Sequence, residues 1–596
     1  MKLKFKNNFI GYFQFYYSIV GSKLLISILL SISVTILDGV GLAMFMPLLQ
    51  AVSGGNSSTR HNMGHLHYIT DVITNMGFPL TLGTVLAVLV ILFSLKGFMK
   101  FLELNYQATV IQYFMKRIRH ELVAGLRKMS YKGFIQLDAG KIQNIFIAEV
   151  QRMSQGVRFY LGYSQSVFML VTYVFLALLA NYQFAILVAI SAGLTNLLYT
   201  KIYKTMKKFS LEISKRGHDF NSYMIQAIHY FKYLKSTNYL GTYARKLGQV
   251  IDKTENLNKK TGYYTAVTTG IREPMILLIV VIVIYIQINW MGGNLGSIIL
   301  SLLLFYRALT FLMGIQNQWQ NFIQNTGAMR TVSELSQSMN FYAEVKGTTS
   351  FTSIEKEILI KNIDLSYGSN KVLNNVDVVI EKNKTIALVG ASGSGKTTLA
   401  NVIMGLITPD SGKVLIDSTP MTQYNLDSYR SKIGYISQDS VIFNDDIYNN
   451  ITFWAEPTPE NDERFWEVIK MASLEEFVKH QSDKEKTRLG DNGILISGGQ
   501  KQRISIAREM YKKVEILILD EATSALDSET EHIIQENIEN LHGHYTMIVI
   551  AHRLSTIRNV DTIYLLDKGK VTISGDFDTM VERSDKFKRM VDLQGL

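Results

Sequence analysis

The sequence predicts two unlike domains in one chain: a membrane domain of six helices followed by a cytosolic α/β domain. Three observations lead to this expectation. Apolar stretches long enough to span a bilayer lie in the first half of the 596 residues. A glycine-rich loop preceded by an apolar strand lies in the second half. The net charge of +11 is also divided unevenly, because basic side chains exceed acidic ones before position 341 and acidic ones exceed basic ones after it.

The membrane domain is predicted from six segments that meet the requirement of about 20 largely apolar residues per transmembrane helix. They lie at about 20–50, 79–102, 160–180, 184–202, 270–289 and 295–316. Buried helices of a soluble protein are the alternative, but the uncharged runs 167–180 and 275–286 argue against it. We therefore expect a transmembrane domain over 1–335, a polar linker over 336–355 and a second domain over 356–596.

The distribution of basic residues predicts how these spans are oriented. Before position 341, Arg60 is the one basic residue in a predicted outer loop, whereas segments 103–159 and 203–268 carry many. Because basic loops stay on the cytosolic side, both termini and both long segments are expected in the cytosol. The basicity is thus a topology signal and not a sign of nucleic-acid binding. The expected setting is a multi-pass protein of a bacterial inner (plasma) membrane.

Composition excludes several classes of protein. The absence of cysteine excludes disulfide frameworks, cysteine nucleophiles and metal sites built on thiolates. A hydrophobic content of 47% with a mean hydropathy of +0.11 is too apolar for a disordered chain or a nucleic-acid-binding tail. Any chemistry in the second domain must therefore use other side chains.

The strongest motif of the second domain is the loop GASGSGKT, from Gly390 to Thr397. It follows the apolar segment 384–389 and precedes a helix expected to begin near Lys396, which is the setting of a phosphate-binding loop. Glycines let backbone amides surround phosphates at the positive end of a helix. Lys396 is expected to reach the β- and γ-phosphates of ATP, and the hydroxyl of Thr397 to bind Mg²⁺.

A second apolar strand, 516–519, ends in the carboxylates Asp520 and Glu521. Two acids at the end of a buried strand rarely serve packing, because an unpaired buried charge is destabilising. Together with the phosphate loop, the pattern predicts that Asp520 holds Mg²⁺ and that Glu521 acts as general base on the attacking water. The predicted reaction is ATP hydrolysis.

Further motifs make the second domain resemble the cassette of ATP-binding cassette (ABC) transporters. The run from Ile496 to Gln500 (ISGGQ) is similar to the family's signature, although the signature usually begins with Leu. Gln438 resembles the Q-loop glutamine, the run from Ser524 to Asp527 resembles the D-loop, and His552 resembles the switch histidine. Together these motifs cover 357–575 in the family's order.

The resemblance implies a fold and a set of site residues. The implied fold is a six-helix transmembrane domain of the ABC exporter type followed by a cytosolic α/β P-loop NTPase domain. The implied catalytic residues are Glu521, His552 and Gln438, and the implied Mg²⁺ ligands are Thr397, Gln438 and Asp520. The residues implied to contact ATP are Tyr367, stacked on adenine, Gly390, Ser392, Gly393, Ser394, Gly395, Lys396, Thr397, Thr398, Ser497, Gly498, Gly499 and Gln500.

One membrane domain and one cassette make half a transporter, so the resemblance also implies a dimer. In the family, each ATP lies between the phosphate loop of one chain and the signature of the other. The intact Glu521 and signature favour a homodimer in which both sites hydrolyse ATP. Asp491 and Asn492 replace the acid–base pair of the Gly-Glu-Arg-Gly sequence usual in exporters, so the contact between the cassette and the membrane domain is expected to differ in detail. The turns around 134–140 and 239–243 are expected to form the short coupling helices of the family.

Charged residues inside the predicted spans point towards the substrate. A charge at mid-bilayer costs about 2.5–3.5 kcal/mol on insertion scales, so such residues usually face a cavity. Lys96, Arg272 and Arg307 are basic and Asp38 is acidic. A cavity with these cations would suit a lipid-linked anion whose phosphates contact the basic residues. The alternative is that Lys96 and Arg272 extend to the inner headgroups while Arg307 pairs with an acid.

Two segments add a resemblance to lipid-linked oligosaccharide flippases: residues 38–47 of the first span and an outer-loop segment, 66–76, with amphipathic spacing. The predicted function is therefore ATP-driven export or flipping of an amphiphilic, anionic, lipid-linked substrate by alternating access. A lipid-linked glycan is one candidate. A drug or peptide exporter of the same fold is the first alternative, and an ATP-gated channel or regulator is an alternative from another class.

Overall fold

The computed structural model describes residues 8–45, 47–48, 81–180, 182–289, 295–520, 536, 539, 541–551 and 553–594. The chain forms two compact units. The first comprises residues 1–129 and 133–343, and the second comprises residues 130–132 and 344–596. The amphipathic segment predicted at 66–76 lies outside the described residues.

Helices occupy the described chain as far as Phe341. They are α1 (Phe9–Val20), α2 (Ser22–Ala43), α3 (Leu82–Lys128), α4 (Tyr131–Phe134), α5 (Ala139–Asn144), α6 (Val150–Ala180), α7 (Tyr182–His229), α8 (Phe231–Ser236), α9 (Leu240–Asn289) and α10 (Leu295–Phe341). A π-helical turn, Ile145–Glu149, joins α5 to α6. At about 1.5 Å per residue, the longest of these helices exceed the roughly 30 Å hydrocarbon core by more than twofold.

Four helical segments of the described chain are long and apolar enough to cross a membrane. They are Ser22–Ala43, Leu82–Lys128, Ala139–Leu179 and Leu240–Ile286. These segments contain or overlap the predicted spans at about 20–50, 79–102, 160–180 and 270–289. The predicted spans 184–202 and 295–316 fall in α7 and α10, where many side chains lie outside the described part. The count of six spans therefore stays a prediction.

The observed helix ends agree with some of the predicted helix extensions and turns and differ from others. The polar continuation of the second span is confirmed, since α3 runs unbroken to Lys128. The first predicted turn lies between α4 and α5. The second was misplaced, because the short helix α8 ends at Ser236, before the predicted turn at 239–243. Asn238, with φ of +59°, adopts the left-handed conformation that Asn tolerates and so separates α8 from α9.

Helix α1 was not predicted, and aromatic packing explains its place in the first unit. Tyr16 is fully buried, and its ring centroid lies 5.3 Å from that of Tyr160 on α6 and 6.4 Å from that of Phe322 on α10. The Tyr12 ring lies edge-on to Phe322 at 4.8 Å. Each aromatic pair contributes about 0.5–1.5 kcal/mol beyond area burial. These contacts fix α1 against the spans before the chain enters the membrane at α2.

A close contact between α5 and α7 gives a stability prediction. A Cβ added at Gly140 would lie 2.3 Å from the Cα of Ser222, so Gly140→Ala forces the two helices apart. We expect a loss of about 1–3 kcal/mol, as for other overpacked contacts, and a lower thermal unfolding midpoint in detergent. Gly241→Ala is the matched control, because nothing lies within 4 Å of its added Cβ and Ala favours helix. Equal midpoints for the two variants would contradict this contact.

The second unit contains two sheets. Its strands are β1 (Glu357–Tyr367), β2 (Asn370–Glu381), β3 (Thr385–Val389), β4 (Ser411–Ile416), β5 (Thr419–Pro420), β6 (Ile433–Ile436), β7 (Ile516–Asp520), β8 (Thr546–Ile550), β9 (Thr562–Asp567) and β10 (Lys570–Gly575). A four-stranded antiparallel sheet has the order β2-β1-β4-β5, and a six-stranded sheet has the order β10-β9-β3-β8-β7-β6. In the larger sheet, β9, β3, β8, β7 and β6 pair in parallel.

Short helices connect and cover these strands. They are α11 (Lys396–Ile403), α12 (Leu426–Arg430), α13 (Ile447–Thr452), α14 (Pro459–Met471), α15 (Glu475–Lys479), α16 (Gly498–Tyr511), α17 (Phe577–Arg583) and α18 (Asp585–Gln594). Every residue of β3 and β7 is buried, as expected for the centre of a parallel sheet covered on both faces. The carboxyl ends of β3, β6 and β7 meet at one edge, where ligands of such sheets bind.

Candidate functional site

The loop after β3 is a tight turn that requires glycine at both ends. Gly390 has a φ of +154°, and a Cβ there would lie 2.2 Å from the carbonyl oxygen of Leu566. Gly395 has a φ of +106°, and a Cβ there would lie 2.9 Å from Cδ2 of Leu373. Glycine adopts these conformations without a steric penalty. The backbone therefore explains why the loop between β3 and α11 begins and ends with glycine.

Lys396 begins α11, as the sequence predicts, and its side chain folds back over the loop. Its Nζ donates hydrogen bonds to the carbonyl oxygens of Gly390 at 2.7 Å and Ala391 at 3.2 Å. Lys396 is only 6% exposed, so a buried cation lies at the N-terminal end of a helix. Ser394 Oγ, also buried, has no hydrogen-bond partner among the described residues. A cation, a helix N-terminus and an unsatisfied hydroxyl together fit a phosphate ligand.

The remaining loop residues lie in the first turn of α11 or are exposed beside it. Ser392, Gly393 and Thr397 are exposed. Tyr367, at the end of β1, is half-buried, and its side chain lies close to that of Thr398. Burial is the main cause that raises the pKa of Tyr367, so its ring stays neutral at physiological pH. The structure thus brings Tyr367 next to the phosphate loop.

Asp520 is the acidic end of β7 and lies on the same sheet edge as the loop. It is 6% exposed, and the hydroxyl of Tyr435 on β6 donates a hydrogen bond to its Oδ2 at 3.1 Å. Burial, followed by the Asp520 charge, raises the pKa of Tyr435, which keeps this donor protonated. Gln438 follows β6 closely. Glu521 and His552 lie outside the described residues.

The signature segment forms the N-terminal end of α16. Ser497 caps the helix: its Oγ accepts a hydrogen bond from the Gln500 backbone N–H at 3.3 Å, and its own N–H donates to Gln500 Oε1 at 2.9 Å. This reciprocal capping box is the usual reason for a Ser-x-x-Gln sequence at a helix start. Ser497 and Gly498 are exposed, and Gly499 is half-buried. The signature therefore presents a helix N-terminus at the surface of this unit.

A second candidate site is a cavity of about 320 Å³ within the helices of the first unit. Its lining includes three cations, Lys96 and Lys100 on α3 and Arg307 on α10, together with the carboxylate Asp38 on α2. Lys96 and Arg307 each lie about 20 Å along their helices, counted from the helix start at about 1.5 Å per residue. The structure therefore brings together two of the three basic residues predicted from the sequence. The third, Arg272, lies in α9, but its side chain is outside the described part.

Each lysine of the cavity has a carboxylate partner, which the sequence did not show. Lys96 Nζ pairs with Asp38 Oδ1, so Lys96 does not extend to the headgroups as the alternative proposed. Lys100 Nζ lies 2.7 Å from Glu103 Oε2, and Glu103 is fully buried. Arg307 is exposed and forms no ion pair with any described residue. Among the described residues, three cations and two carboxylates lie at the cavity, which gives this part of it a net positive charge.

Sequence reasoning missed Lys100 and Glu103, although a signal was present. Lys96, Lys100 and Glu103 are spaced by four and three residues, which places them on one face of α3. Tyr173, which donates a hydrogen bond to Asp38 Oδ2 at 2.7 Å, carried no such signal, since one tyrosine in an apolar helix is ordinary. Its role depends on how α2 and α6 pack.

Comparison with known families and relatives identifies the chain. One family profile, for the ABC transporter transmembrane region, matches residues 24–305, and another, described as ABC transporter, matches residues 373–524. An ATP-dependent lipid A-core flippase of Shewanella denitrificans is 30% identical over 427 residues, which cover 70% of each chain. This chain belongs to the ABC transporters. It is an exporter-type half-transporter and a multi-pass membrane protein, and its cassette binds and hydrolyses ATP.

Other relatives place this ABC transporter among several named proteins. The heterocyst differentiation ATP-binding protein HepA of Nostoc sp. is 28% identical over 479 residues, covering 80% of this chain and 79% of the relative. An ATP-dependent lipid A-core flippase of Francisella tularensis is 37% identical over 287 residues, about half of each chain. A solved structure of a bacterial Atm1-family ABC exporter with ATP bound has a TM-score of 0.76, covering 97% of this chain and 99% of that one. At 21% identity, that likeness shows the fold alone.

Proposed function

We propose that this ABC transporter flips or exports an amphiphilic lipid whose headgroup carries phosphate, by alternating access. The cationic cavity between α2, α3, α6 and α10 carries this proposal, because unpaired positive charge inside a membrane domain is costly unless it meets an anion. Arg307, which forms no ion pair with any described residue, provides that charge. The lipid A-core flippases among the relatives support a lipid substrate. A lipid-linked glycan with a phosphate linkage is one substrate of this class.

The chemistry of the cassette follows from the residues at the sheet edge. Backbone amides of the loop and Lys396 bind the phosphates, and the Tyr367 ring stacks on the adenine. Glu521, next to Asp520, accepts a proton from the attacking water, while Gln438 and His552 position the water and the γ-phosphate. Mg²⁺, when bound by Thr397, Gln438 and Asp520, neutralises phosphate charge. The buried Asp520 carboxylate and the hydroxyl-rich first turn of α11 are the oxygen donors that Mg²⁺ prefers.

The active unit is a homodimer in this proposal. The exposed N-terminus of α16 is available to the ATP held by a second copy, with Ser497 and Gly499 near its γ-phosphate and Gly498 and Gln500 in the same turn. Such sharing links ATP binding to closure of the two cassettes. In this proposal the spans lie in the bacterial inner membrane. Both termini lie in the cytosol, an orientation that the distribution of basic residues supports.

The substrate proposal is tested with Arg307→Gln. We expect the apparent affinity for dioleoyl phosphatidic acid, measured by stimulation of ATPase activity in nanodiscs of neutral lipid, to fall about five- to tenfold, because one charge-assisted contact is lost. Basal ATPase activity should not change. Arg245→Gln is the control, since Arg245 lies on α9 and its NH2 bonds Thr242, outside the cavity.

Three outcomes would count against the proposal. Equal stimulation by phosphatidic acid and the uncharged dioleoyl glycerol would remove the role of the phosphate. Stimulation by hydrophobic cations or peptides in place of lipids would favour a drug or peptide exporter. ATP-dependent ion conductance without lipid movement would favour a channel or regulator.

A further inference from the structure

Lys96 and Asp38 form an ion pair in the lining of the cavity. Asp38 is 6% exposed, whereas the Lys96 side chain is 29% exposed and lies 5.1 Å from the Phe93 ring centroid. The lysine thus faces both its carboxylate and the cavity. A phosphate entering the cavity competes with Asp38 for the same ammonium group.

Asp38 has a second donor that stays in place if Lys96 turns away. The Tyr173 hydroxyl donates to Oδ2 at 2.7 Å, and the Tyr173 ring is fully buried and stacked on Phe311 at 5.3 Å. A buried carboxylate that lost all partners would be strongly destabilised. Because Tyr173 comes from α6 and Lys96 from α3, the hydrogen bond from Tyr173 does not require that Lys96 stay paired. The carboxylate therefore keeps a hydrogen bond while Lys96 binds another anion.

The neighbouring pair of Lys100 and Glu103 does not have this freedom. Glu103 is fully buried and accepts hydrogen bonds from four side chains. These are Ser31 at 2.6 Å, Lys100 at 2.7 Å, Gln107 at 3.1 Å and Gln165 at 3.2 Å. Lys100 also donates to Gln165 at 3.1 Å. This network spans α2, α3 and α6 and fixes Lys100, so Asp38 is the carboxylate of the cavity that can exchange its cation.

We infer that Asp38 is a resident counter-ion, which determines the specificity of the cavity for anions and promotes their release. In the empty cavity Asp38 neutralises Lys96, so a weakly charged lipid gains little by displacing it. A phosphate monoester, with up to two negative charges, gains contacts with both Lys96 and Arg307. After transport, re-formation of the Lys96–Asp38 pair displaces the headgroup. This inference rests on the proposed function, because it requires an anionic lipid in the cavity.

Two substitutions should change binding in opposite directions. Asp38→Asn keeps the shape and the acceptor for Tyr173 but removes the competing charge. We expect phosphatidic acid to bind about fivefold more tightly, as for loss of one partly solvated ion pair, and its maximal stimulation of ATPase activity to fall through slow release. Tyr173→Phe removes the hydrogen bond to Asp38, so the carboxylate would hold Lys96 more strongly and phosphatidic acid should bind more weakly. Asp252→Asn, an exposed site on α9, is the control with the same change of charge.

Dissociation constants for dioleoyl phosphatidic acid are measured by native mass spectrometry on the detergent-solubilised full-length protein, with dioleoyl glycerol as the uncharged lipid and inorganic phosphate as a competitor. If inorganic phosphate displaces phosphatidic acid, the site recognises the phosphate group by itself. If it does not, the site requires the whole lipid. Either result agrees with the exchange. If Asp38→Asn binds phosphatidic acid as wild type does or more weakly, the counter-ion role of Asp38 is wrong. If Arg307→Gln nevertheless weakens this binding, the proposed function stands. If the wild type binds both lipids equally, the proposed function falls and this inference with it.

Discussion

Glu521→Gln should abolish ATP turnover and leave ATP binding intact. The substitution keeps the size of the side chain that follows Asp520 in the sequence but removes the carboxylate that we propose accepts the proton from water. Loss of a general base costs about 10²–10⁴-fold in rate. We expect a decrease within this range in steady-state phosphate release by purified protein, with a dissociation constant for a fluorescent ATP analogue within a factor of two of wild type.

The control for this variant is Glu463→Gln, which removes the same charge from an exposed position on α14. It should hydrolyse ATP at the wild-type rate. Hydrolysis by Glu521→Gln within tenfold of wild type would contradict the general-base assignment. Loss of both binding and turnover would instead indicate a structural role for Glu521 beside Asp520.

Lys396→Ala, unlike Glu521→Gln, should weaken ATP binding itself. Lys396 Nζ is buried and bonded to loop carbonyls at 2.7 and 3.2 Å. These bonds position the ammonium group for phosphates. A hydrogen bond to a charged group contributes about 1.5–3 kcal/mol, so affinity should fall by roughly ten- to hundredfold. Titration with the same fluorescent ATP analogue measures this loss.

Lys413→Ala on β4 is the control, because Lys413 is exposed and its substitution removes the same charge from the cassette. Thermal unfolding of the two variants separates a binding defect from a folding defect. Lys396→Ala should unfold near the wild-type temperature without ATP and should lose the stabilisation that added ATP gives the wild type. Undiminished ATP stabilisation would contradict the role of Lys396.

The cassette could be predicted in detail because its site is local in sequence. Residues close in sequence determine the geometry of each feature: the glycines at 390 and 395, the lysine at the helix start and the acid at the strand end. The observed starts of α11 at Lys396 and of β7 at Ile516 agree with the predicted pattern. The roles of these residues in ATP chemistry remain proposals, as for Glu521 and His552, which lie outside the described residues.

The membrane cavity could be predicted only in part, because its partners come from different helices. Lys96, Arg307 and Asp38 could be selected from the sequence, because a charged residue inside an apolar span is energetically costly. That Asp38 pairs with Lys96 and accepts from Tyr173 depends on the packing of α2, α3 and α6, which hydropathy does not encode. Helix α1 was missed for the same reason, since aromatic contacts with α6 and α10 hold it in place. The second turn was misplaced because Asn238 ends α8 without a proline or glycine signal.

The central claim, ATP-driven movement of a phosphate-bearing lipid, is tested most directly by translocation in proteoliposomes. A fluorescent phosphatidic acid placed in the leaflet that faces the cassettes becomes resistant to an added membrane-impermeant quencher when it is moved to the opposite leaflet. We predict that ATP and Mg²⁺ accelerate this movement for wild type and not for Glu521→Gln, with a matched fluorescent diacylglycerol left behind. Movement that is independent of ATP, or equal for both lipids, would contradict the account.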